Sequence, residues 1–160
     1  MIASHRHPLV RVVLAGFLLL VGADCESAKK GGAPSGLATV RMPLGDKTFT
    51  LEVADTEATR RYGLMRRDSM PKDHGMIFVF PREAPLGFYM RNTRIPLDII
   101  YVTAAGKVVS VKQMKPYDEN TTPSDGDAQY AIELNEGMAE AAGVKAGMTL
   151  QLPAGLKSKD

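Results

Sequence analysis

Apolar and polar residues alternate along several short segments of the chain, and this alternation is typical of half-buried β-strands. Residues 48–53 alternate clearly, whereas residues 76–80 form a continuous apolar run that predicts a strand covered on both faces. Pro96 lacks a backbone N–H and interrupts the pattern. The other predicted strands are residues 37–42, 88–90, 97–103, 107–114, 128–134 and 148–152.

Two short helices are predicted from residues that suit helix ends. Asp55 or Thr56 suits the N-cap of the first helix, which would extend to residue 65. Asn135 suits the cap of the second helix, and Gly143 would stop it. Connections of hairpin length favour antiparallel pairing. We therefore expect a mainly β fold, an antiparallel sandwich or partly closed barrel of seven or eight short strands with two short helices.

The N-terminus has the pattern of an export signal. Basic residues precede the apolar run of residues 12–23, which is shorter than the roughly 20 apolar residues of a membrane-spanning helix. We predict a signal peptide over residues 1–23, a flexible tether over 24–36, a single β-rich domain over 37–156 and a tail over 157–160. The mature protein would then be periplasmic or secreted, and an uncleaved N-terminal anchor is the alternative.

Cys25, the only cysteine, lies just beyond this apolar run and suggests a bacterial lipoprotein. Acylation of its thiol would tether the protein to a membrane. However, Asp24 stands where the lipoprotein peptidase expects a small residue. Plain secretion is therefore the first expectation, and lipid attachment at Cys25 is the second. A single thiol cannot form an internal disulfide.

Charge and composition argue against several functional classes. The whole chain has 20 Lys and Arg against 18 Asp and Glu, and residues 1–23 hold two arginines and no acid. The remainder carries no net charge, which argues against nucleic-acid binding. His74 is the only histidine after the predicted signal peptide. We therefore expect no metal site, no cofactor and neither a Ser-His-Asp nor a Cys-His catalytic group.

Asp98 lies inside the apolar strand of residues 97–103 and must be held by some partner. If its side chain points outward, Ile100 and Val102 are exposed beside it, and if it points inward it shares the core with them. A strand covered on both faces buries the carboxylate in either register. An unpaired buried carboxylate costs several kcal/mol, and an arginine is the expected partner because its planar fork grips a carboxylate with two bonds.

This pairing has two interpretations. In the first, the ion pair is a structural brace between a helix and the sheet. In the second, the pairing is incomplete and polar side chains line a cleft. The candidate arginines are Arg60, Arg61, Arg67, Arg91 and Arg94, and the candidate polar cluster consists of Arg61, Arg67, Asn92, Thr93, Asp98, Ser124, Glu133 and Asn135.

Four segments of the chain carry distinctive motifs: RYGLMRRDSMP at 61–71, GMIFVF at 75–80, FYMRNTRIPLDIIYV at 88–102 and YAIELNEGMAEAAGVKAG at 130–147. In this order they resemble a known bacterial family, domain of unknown function 192. Tyr89 replaces the family's usual Trp, and Arg91 stands where Lys is common. The resemblance implies a compact, β-rich, often exported domain without an established reaction. The family's motif residues fall on Arg61, Gly63, Met65, Arg67, Asn92, Thr93, Pro96, Asp98, Ser124, Glu133, Asn135 and Gly137.

Two functional hypotheses follow from these observations. The first is an exported, non-enzymatic accessory module that binds a small polar ligand, a glycan or a partner protein. The alternative is a hydrolase or lyase in which Asp98 and Glu133 act as acid and base, while Arg61 or Arg67 clamps an anion. The alternative requires the two carboxyl groups to lie within about 5 to 10 Å of each other.

Overall fold

The computed structural model describes residues 35–160. Six strands and two short helices follow one another in this range, which confirms the predicted mainly β fold. In chain order they are β1 (Thr39–Leu44), β2 (Lys47–Ala54), α1 (Glu57–Tyr62), β3 (His74–Phe88), β4 (Leu97–Val102), β5 (Val108–Met114), β6 (Thr122–Asn135) and α2 (Met138–Ala141).

The strands form one mixed sheet in the order β1-β2-β3-β6-β4-β5, and the sheet does not close into a barrel. Neighbouring strands are antiparallel as expected, except that β2 and β3 run parallel. The parallel pair arises because α1 and the loop after it carry the chain back along the sheet before β3 begins. The central strand β6 pairs with both β3 and β4 and thereby joins the two halves of the sheet.

The strand β3 is longer than the sequence pattern predicts. The prolines in residues 81–85, PREAP, predict a break, but β3 continues through them to Phe88 with two register shifts against β6. Such irregularities accommodate proline, which cannot donate to the strand ladder. The predicted closing strand at 148–152 contributes only an isolated bridge between Lys107 and Thr149. The structure consequently has six strands instead of seven or eight.

Both faces of the sheet are covered, so alternate residues of the central strands enter two different apolar cores. On β4, Ile100 and Val102 belong to the first core, whereas Leu97, Ile99 and Tyr101 belong to the second. We call the corresponding sides of the sheet the first face and the second face. A polar side chain on either face of β4 is therefore removed from bulk water.

The second core is enclosed by the loop of residues 63–73 and by the first half of β6. Leu64 and Met70 of the loop are buried in this core. Tyr101 on β4 donates its hydroxyl to the carbonyl of Thr122 at the start of β6. This bond ties the start of β6 to the second face, whereas Ala139 of α2 packs in the first core.

The predicted tail at residues 157–160 lies against the start of α1. The backbone N–H of Lys159 donates to the carbonyl of Asp55 at 2.8 Å, and its ammonium group pairs with the carboxylate of the same residue at 2.8 Å. Asp160 accepts from the N–H of Glu57 at 3.0 Å and pairs with Arg60. These residues therefore pack onto the folded domain.

The predicted signal peptide at residues 1–23 lies outside the described residues, as do Cys25 and most of the predicted tether at 24–36. Within residues 35–160, no helix has both the length and the apolar character needed to cross a membrane. Export, anchoring and acylation therefore stay predictions from the sequence.

Gly75 at the start of β3 permits close packing between strands, and its replacement tests that packing. A Cβ atom at this position would stand 2.4 Å from the carbonyl oxygen of Glu133. We expect Gly75→Ala to lower the free energy of unfolding by roughly 1–3 kcal/mol in urea titrations, because the backbone carbonyl cannot move aside without disturbing the sheet. Gly126→Ala is the matched control, since its Cβ would meet only Val109 at 3.5 Å. Equal losses for both variants would contradict this packing.

Candidate functional site

A buried ion pair on the second face is the centre of the candidate site. Arg67 binds Glu52 of β2 with two hydrogen bonds, Nη1 to Oε1 at 2.6 Å and Nη2 to Oε2 at 2.8 Å. Ser35 also donates its hydroxyl to Glu52. Burial raises the pKa of Glu52, but the bonds and the charge of Arg67, with the bond from Ser35, outweigh burial and hold that pKa below its ordinary value.

The end of α1 determines where Arg67 lies. Thr56 and Thr59 form a capping box at the start of the helix. Gly63, with φ of +50°, ends the helix, and a Cβ there would touch the ring of Phe78 at 3.4 Å. Glycine adopts this left-handed conformation without the steric cost that other residues have. The chain can therefore turn closely over the second face and place Arg67 above β2.

Glu133 of β6 is the second buried carboxyl group on this face. Met76 of β3 is the register partner of both Glu52 and Glu133, so two strand spacings, about 10 Å, separate the backbones of the two acids. Glu133 is only 5% exposed. Among residues 35–160 its carboxyl group has no hydrogen bond or ion pair, whereas Glu52 has both. In that same range, no group of three or more His, Cys, Asp or Glu could hold a metal ion.

The environments of these two acids shift their pKa values in opposite directions. Burial raises the pKa of Glu133 to about 8, and the charge of Arg67 offsets only part of this rise. Burial, followed by the charge of Glu133, also raises the pKa of Tyr101 on the same face. At pH 7 the site thus combines an ionised carboxylate on Glu52 with a mostly protonated carboxylic acid on Glu133.

Asn135 fixes the loop that carries Arg67. Its side-chain amide donates to the carbonyl of Met70 at 3.1 Å and to that of Pro71 at 3.0 Å. Because Asn135 follows Glu133 by two residues on the same strand, both side chains lie on the second face. Arg67, Glu133 and Asn135 of the predicted polar cluster thus lie on or over the second face.

Asn92 and Thr93 connect three loops through their backbone. The carbonyl of Asn92 accepts from the N–H of Arg66 at 2.8 Å, and the carbonyl of Thr93 accepts from the N–H of Tyr117 at 3.1 Å. Arg66, Asn92 and Tyr117 have φ angles of 61°, 57° and 62°, and no other described non-glycine residue has a positive φ. Each of the three loops thus contains one residue in a conformation that costs on the order of 1–3 kcal/mol.

These loops display an exposed surface rich in tyrosine and arginine. Tyr89 is 41% exposed and Tyr117 is 62% exposed. The guanidinium of Arg91 lies 5.4 Å from the centre of the Tyr89 ring, as in a cation–π contact. Arg91 and Arg94 each bind an acidic side chain, at 3.0 and 2.5 Å. We call this area the three-loop surface and define it by Asp68, Tyr89, Arg91, Arg94, Tyr117 and Glu119.

Asp98 lies on the first face, and the prediction that an arginine binds it is wrong. The residue is buried as expected, at 2% exposure, but its Oδ2 accepts the backbone N–H of Ala139 in α2 at 2.8 Å. The first N–H groups of a helix lack partners within the helix, so a carboxylate there is well placed. Asp98 therefore braces β4 against α2, and it also borders a groove of about 350 Å³.

The five candidate arginines bind other carboxylates. Arg61 lies exposed on α1, away from the buried cluster. Ser124 accepts from the N–H of Leu86 at 3.0 Å and donates to the carbonyl of Gly126 at 2.7 Å, so it bonds to strand backbone outside the cluster. The ion pairs are Arg60–Asp160, Arg61–Glu57, Arg67–Glu52, Arg91–Glu119 and Arg94–Asp68.

The structure does not bring Asp98 and Glu133 together as an acid–base pair. Asp98 is the register partner of Leu134, which belongs to the first core, whereas Glu133 is the partner of Ile99, which belongs to the second. The two carboxyl groups therefore point to opposite faces of the sheet. The enzymatic alternative that depends on their pairing has no geometric support.

The sequence analysis missed Glu52. In the alternating segment of residues 48–53, Glu52 falls on the polar side with Thr48 and Thr50, which predicts exposure to solvent. Glu52 is 8% exposed instead, because the loop of residues 63–73 brings Arg67 over it. No local pattern reveals that a distant loop closes over this strand.

The mainly β domain with this buried Glu-Arg-Glu cluster belongs to a family without an established activity. Residues 40–152 match the family DUF192, described as "Uncharacterized ACR". The chain belongs to this family, and the resemblance read from the sequence motifs is confirmed. No curated protein matches the chain.

Two solved structures share the fold. A protein of unknown function from Novosphingobium aromaticivorans DSM 12444 is 34% identical with a TM-score of 0.69, and the match covers 79% of this chain and 95% of that chain. A protein from Sinorhizobium meliloti 1021, labelled a proposed transcription regulator, is 30% identical with a TM-score of 0.70. That match covers 74% of this chain and 97% of the other.

Removal of one partner from the buried ion pair should destabilise the protein more than removal of both. We expect Arg67→Met to lower the free energy of unfolding by roughly 3–5 kcal/mol, because Glu52 would be left buried and unpaired. The double variant Glu52→Met/Arg67→Met should recover much of this loss in urea unfolding. Arg61→Met, which removes an exposed pair, is the control and should change stability little. A double variant less stable than Arg67→Met would contradict a costly unpaired charge.

Glu133 should make stability fall as the pH rises from about 5 to 8. The ordinary pKa of 4.5 applies to the unfolded chain and a pKa of about 8 to the folded one, so in this window the unfolded chain releases a proton that the folded chain retains. The difference in unfolding free energy between wild type and Glu133→Gln should therefore change by up to about 1.4 kcal/mol per pH unit, in favour of the variant as pH rises. Exposed Glu140→Gln is the control, and a difference that stays constant with pH would contradict this assignment.

Proposed function

We propose that the protein is a non-enzymatic binding module that acts outside the cytoplasm and recognises a partner protein through the three-loop surface. The observation that carries this proposal is the meeting of three strained loops. Arg66, Asn92 and Tyr117 each adopt a left-handed conformation, and backbone hydrogen bonds between the loops hold these residues. Strained backbone persists only where the surroundings enforce it, and it is concentrated at functional sites.

The chemistry of the surface favours a protein partner. Tyrosine and arginine are enriched in protein interfaces, and tyrosine loses little conformational entropy when it is buried. Tyr89 and Tyr117 are two of the three large apolar residues exposed in the described range. Arg91 and Arg94 already bind carboxylates, so the surface presents both signs of charge and no unpaired guanidinium for a small anion.

The charge balance disfavours a nucleic acid as the partner. The Sinorhizobium meliloti protein is labelled as a proposed transcription regulator, and nucleic-acid binding requires an excess of basic residues over a continuous area. The part of the chain after residue 34 contains equal numbers of basic and acidic residues, and both arginines of the three-loop surface bind acids within it. A partner protein with charges of both signs fits this surface better.

Action outside the cytoplasm is supported by the N-terminal sequence. The first 23 positions contain basic residues followed by a short apolar run, as in a signal peptide. A fusion of residues 1–36 to a reporter that is active only after export tests this part of the proposal, and a reporter retained in the cytoplasm would contradict it.

Loss of the two exposed tyrosines should abolish partner binding without unfolding the domain. We expect wild type to retain a specific protein from the extracytoplasmic fraction of the source organism, and Tyr89→Ala/Tyr117→Ala to lose it by tenfold or more. Truncation of large aromatic anchors typically costs about 2 kcal/mol or more in binding. The retained protein is then purified, and its Kd is measured for each variant.

Tyr62→Ala is the control for that experiment, because Tyr62 is also exposed, at 53%, but lies on α1 outside the three-loop surface. The control should bind as tightly as wild type. Equal Kd values for wild type and the double variant would overturn the assignment of the surface. Binding of a glycan array or a small polar molecule at the same tyrosines, with no protein retained, would overturn the choice of partner.

A further inference from the structure

A groove of about 350 Å³ opens on the first face, between β4, β5, α2 and the residues that follow α2. Small-molecule sites in proteins are typically clefts of about 300–1,000 Å³, so this volume suits a small molecule. The groove shares no residue with the three-loop surface. We call it the Asp98 groove and define it by Asp98, Val111, Gln113, Glu140, Val144 and Lys145.

One oxygen of Asp98 is left without a partner in this groove. Its Oδ2 accepts the N–H of Ala139 at 2.8 Å, but its Oδ1 has no hydrogen bond to any of residues 35–160. In that range, no polar side-chain atom that is shielded from solvent lacks a hydrogen-bond partner. Oδ1 is therefore in contact with solvent although Asp98 is only 2% exposed, and the groove that Asp98 lines provides this contact.

The acceptors around this oxygen favour an ammonium group. Gln113 is the register partner of Asp98 on β5, so its side-chain amide lies on the same face, and Glu140 of α2 adds a second carboxylate. A carboxylate that is largely removed from water attracts an ammonium group more strongly than an exposed one, because its charge is screened less. The part of the chain that the structure describes holds no cluster of three metal-ligating acids, histidines or cysteines, so an organic cation fits these acceptors better than a metal ion.

A lysine in the groove is available for an anionic group of the same ligand. Lys112 also lines the groove, but its ammonium group already binds the carboxylate of Asp125 and the carbonyl of Pro123, both at 2.6 Å. Lys145 is exposed, and its ammonium group has no hydrogen bond or ion pair with any of residues 35–160. A ligand that carries both charges therefore finds a carboxylate and a lysine in one groove.

We propose that the Asp98 groove binds a free α-amino acid with a small apolar side chain. The ammonium group of the ligand donates to Oδ1 of Asp98 and to the carboxylate of Glu140, and its own carboxylate pairs with Lys145. The apolar side chain of the ligand contacts Val144, which belongs to the first core, and Val111, which packs against that core. The ligand thereby satisfies the buried oxygen that has no partner in the domain.

Titrations with three related small molecules test this proposal. The probes are L-valine, isobutylamine, which lacks only the carboxylate of valine, and isovalerate, which lacks only its ammonium group. The readout is the methyl NMR signals of Val111 and Val144 in the groove. We expect valine to shift both signals saturably, and each of the other probes to bind about tenfold more weakly or worse, because each loses one charge-assisted interaction.

Two variants assign the two charges of the ligand to their partners. Asp98→Asn retains an oxygen for the N–H of Ala139 but removes the carboxylate, so it should weaken the binding of valine and of isobutylamine by about tenfold or more. Lys145→Gln should weaken valine binding and leave isobutylamine binding unchanged. Lys72→Gln is the control, since Lys72 is exposed in the loop over the second face, and it should bind all three probes as wild type does. If Asp98→Asn does not fold, the exposed Lys145→Gln variant and the three probes decide the question.

Three results would overturn the proposal. The first is the absence of a saturable shift with valine in the folded wild type. The second is binding of isobutylamine or isovalerate as tight as that of valine, because one of the two charges would then contribute nothing. The third is a Lys145→Gln variant that binds valine as wild type does or that loses valine and isobutylamine equally.

Discussion

The main constraint on this structure comes from its buried carboxyl groups. They lie on strands of a sheet that is covered on both faces. Each group must bind a partner or be neutralised, because an unpaired charge that is buried costs several kcal/mol of stability. Glu52 is ionised and bound by Arg67, Asp98 accepts a backbone N–H from α2, and Glu133 takes up a proton because burial raises its pKa. The first of these bonds joins the loop over the second face to β2, and the second joins α2 to β4.

The loop of residues 63–73 connects the interior cluster to the protein surface. It contributes Arg67 to the buried ion pair, and Arg66 of the same loop donates its backbone N–H to the carbonyl of Asn92. Asn135 holds the far end of the same loop through two carbonyls. One short segment therefore contacts both the buried ion pair and the strained loops that display Tyr89 and Tyr117.

The family match and the two similar solved structures identify a fold without an assigned reaction, and the exposed and the buried polar groups of this fold differ in chemistry. The three-loop surface has exposed rings and paired charges, which suit contact with another macromolecule. On the second face, by contrast, the carboxyl groups of Glu52 and Glu133 are both buried. Asp98, the acid that is most conspicuous in the sequence, lies on the first face of the sheet, where its Oδ2 accepts the N–H of Ala139.

The sequence by itself determined the mainly β fold, the family and the burial of Asp98, because period-2 patterns and motifs are local. It also predicted two short helices, but the prediction that Asn135 caps the second is wrong, since Gly137 precedes α2. The sequence further predicted a polar cluster that includes Arg67, Glu133 and Asn135, and the structure places these three on or over the second face. Only the tertiary structure decided that Asp98 binds a helix N–H, that Glu52 is buried and that Glu133 faces away from Asp98. Those outcomes depend on which distant segment covers each face of the sheet. Alternation along a strand predicts the face on which a side chain lies, but it does not predict which segment packs over that face.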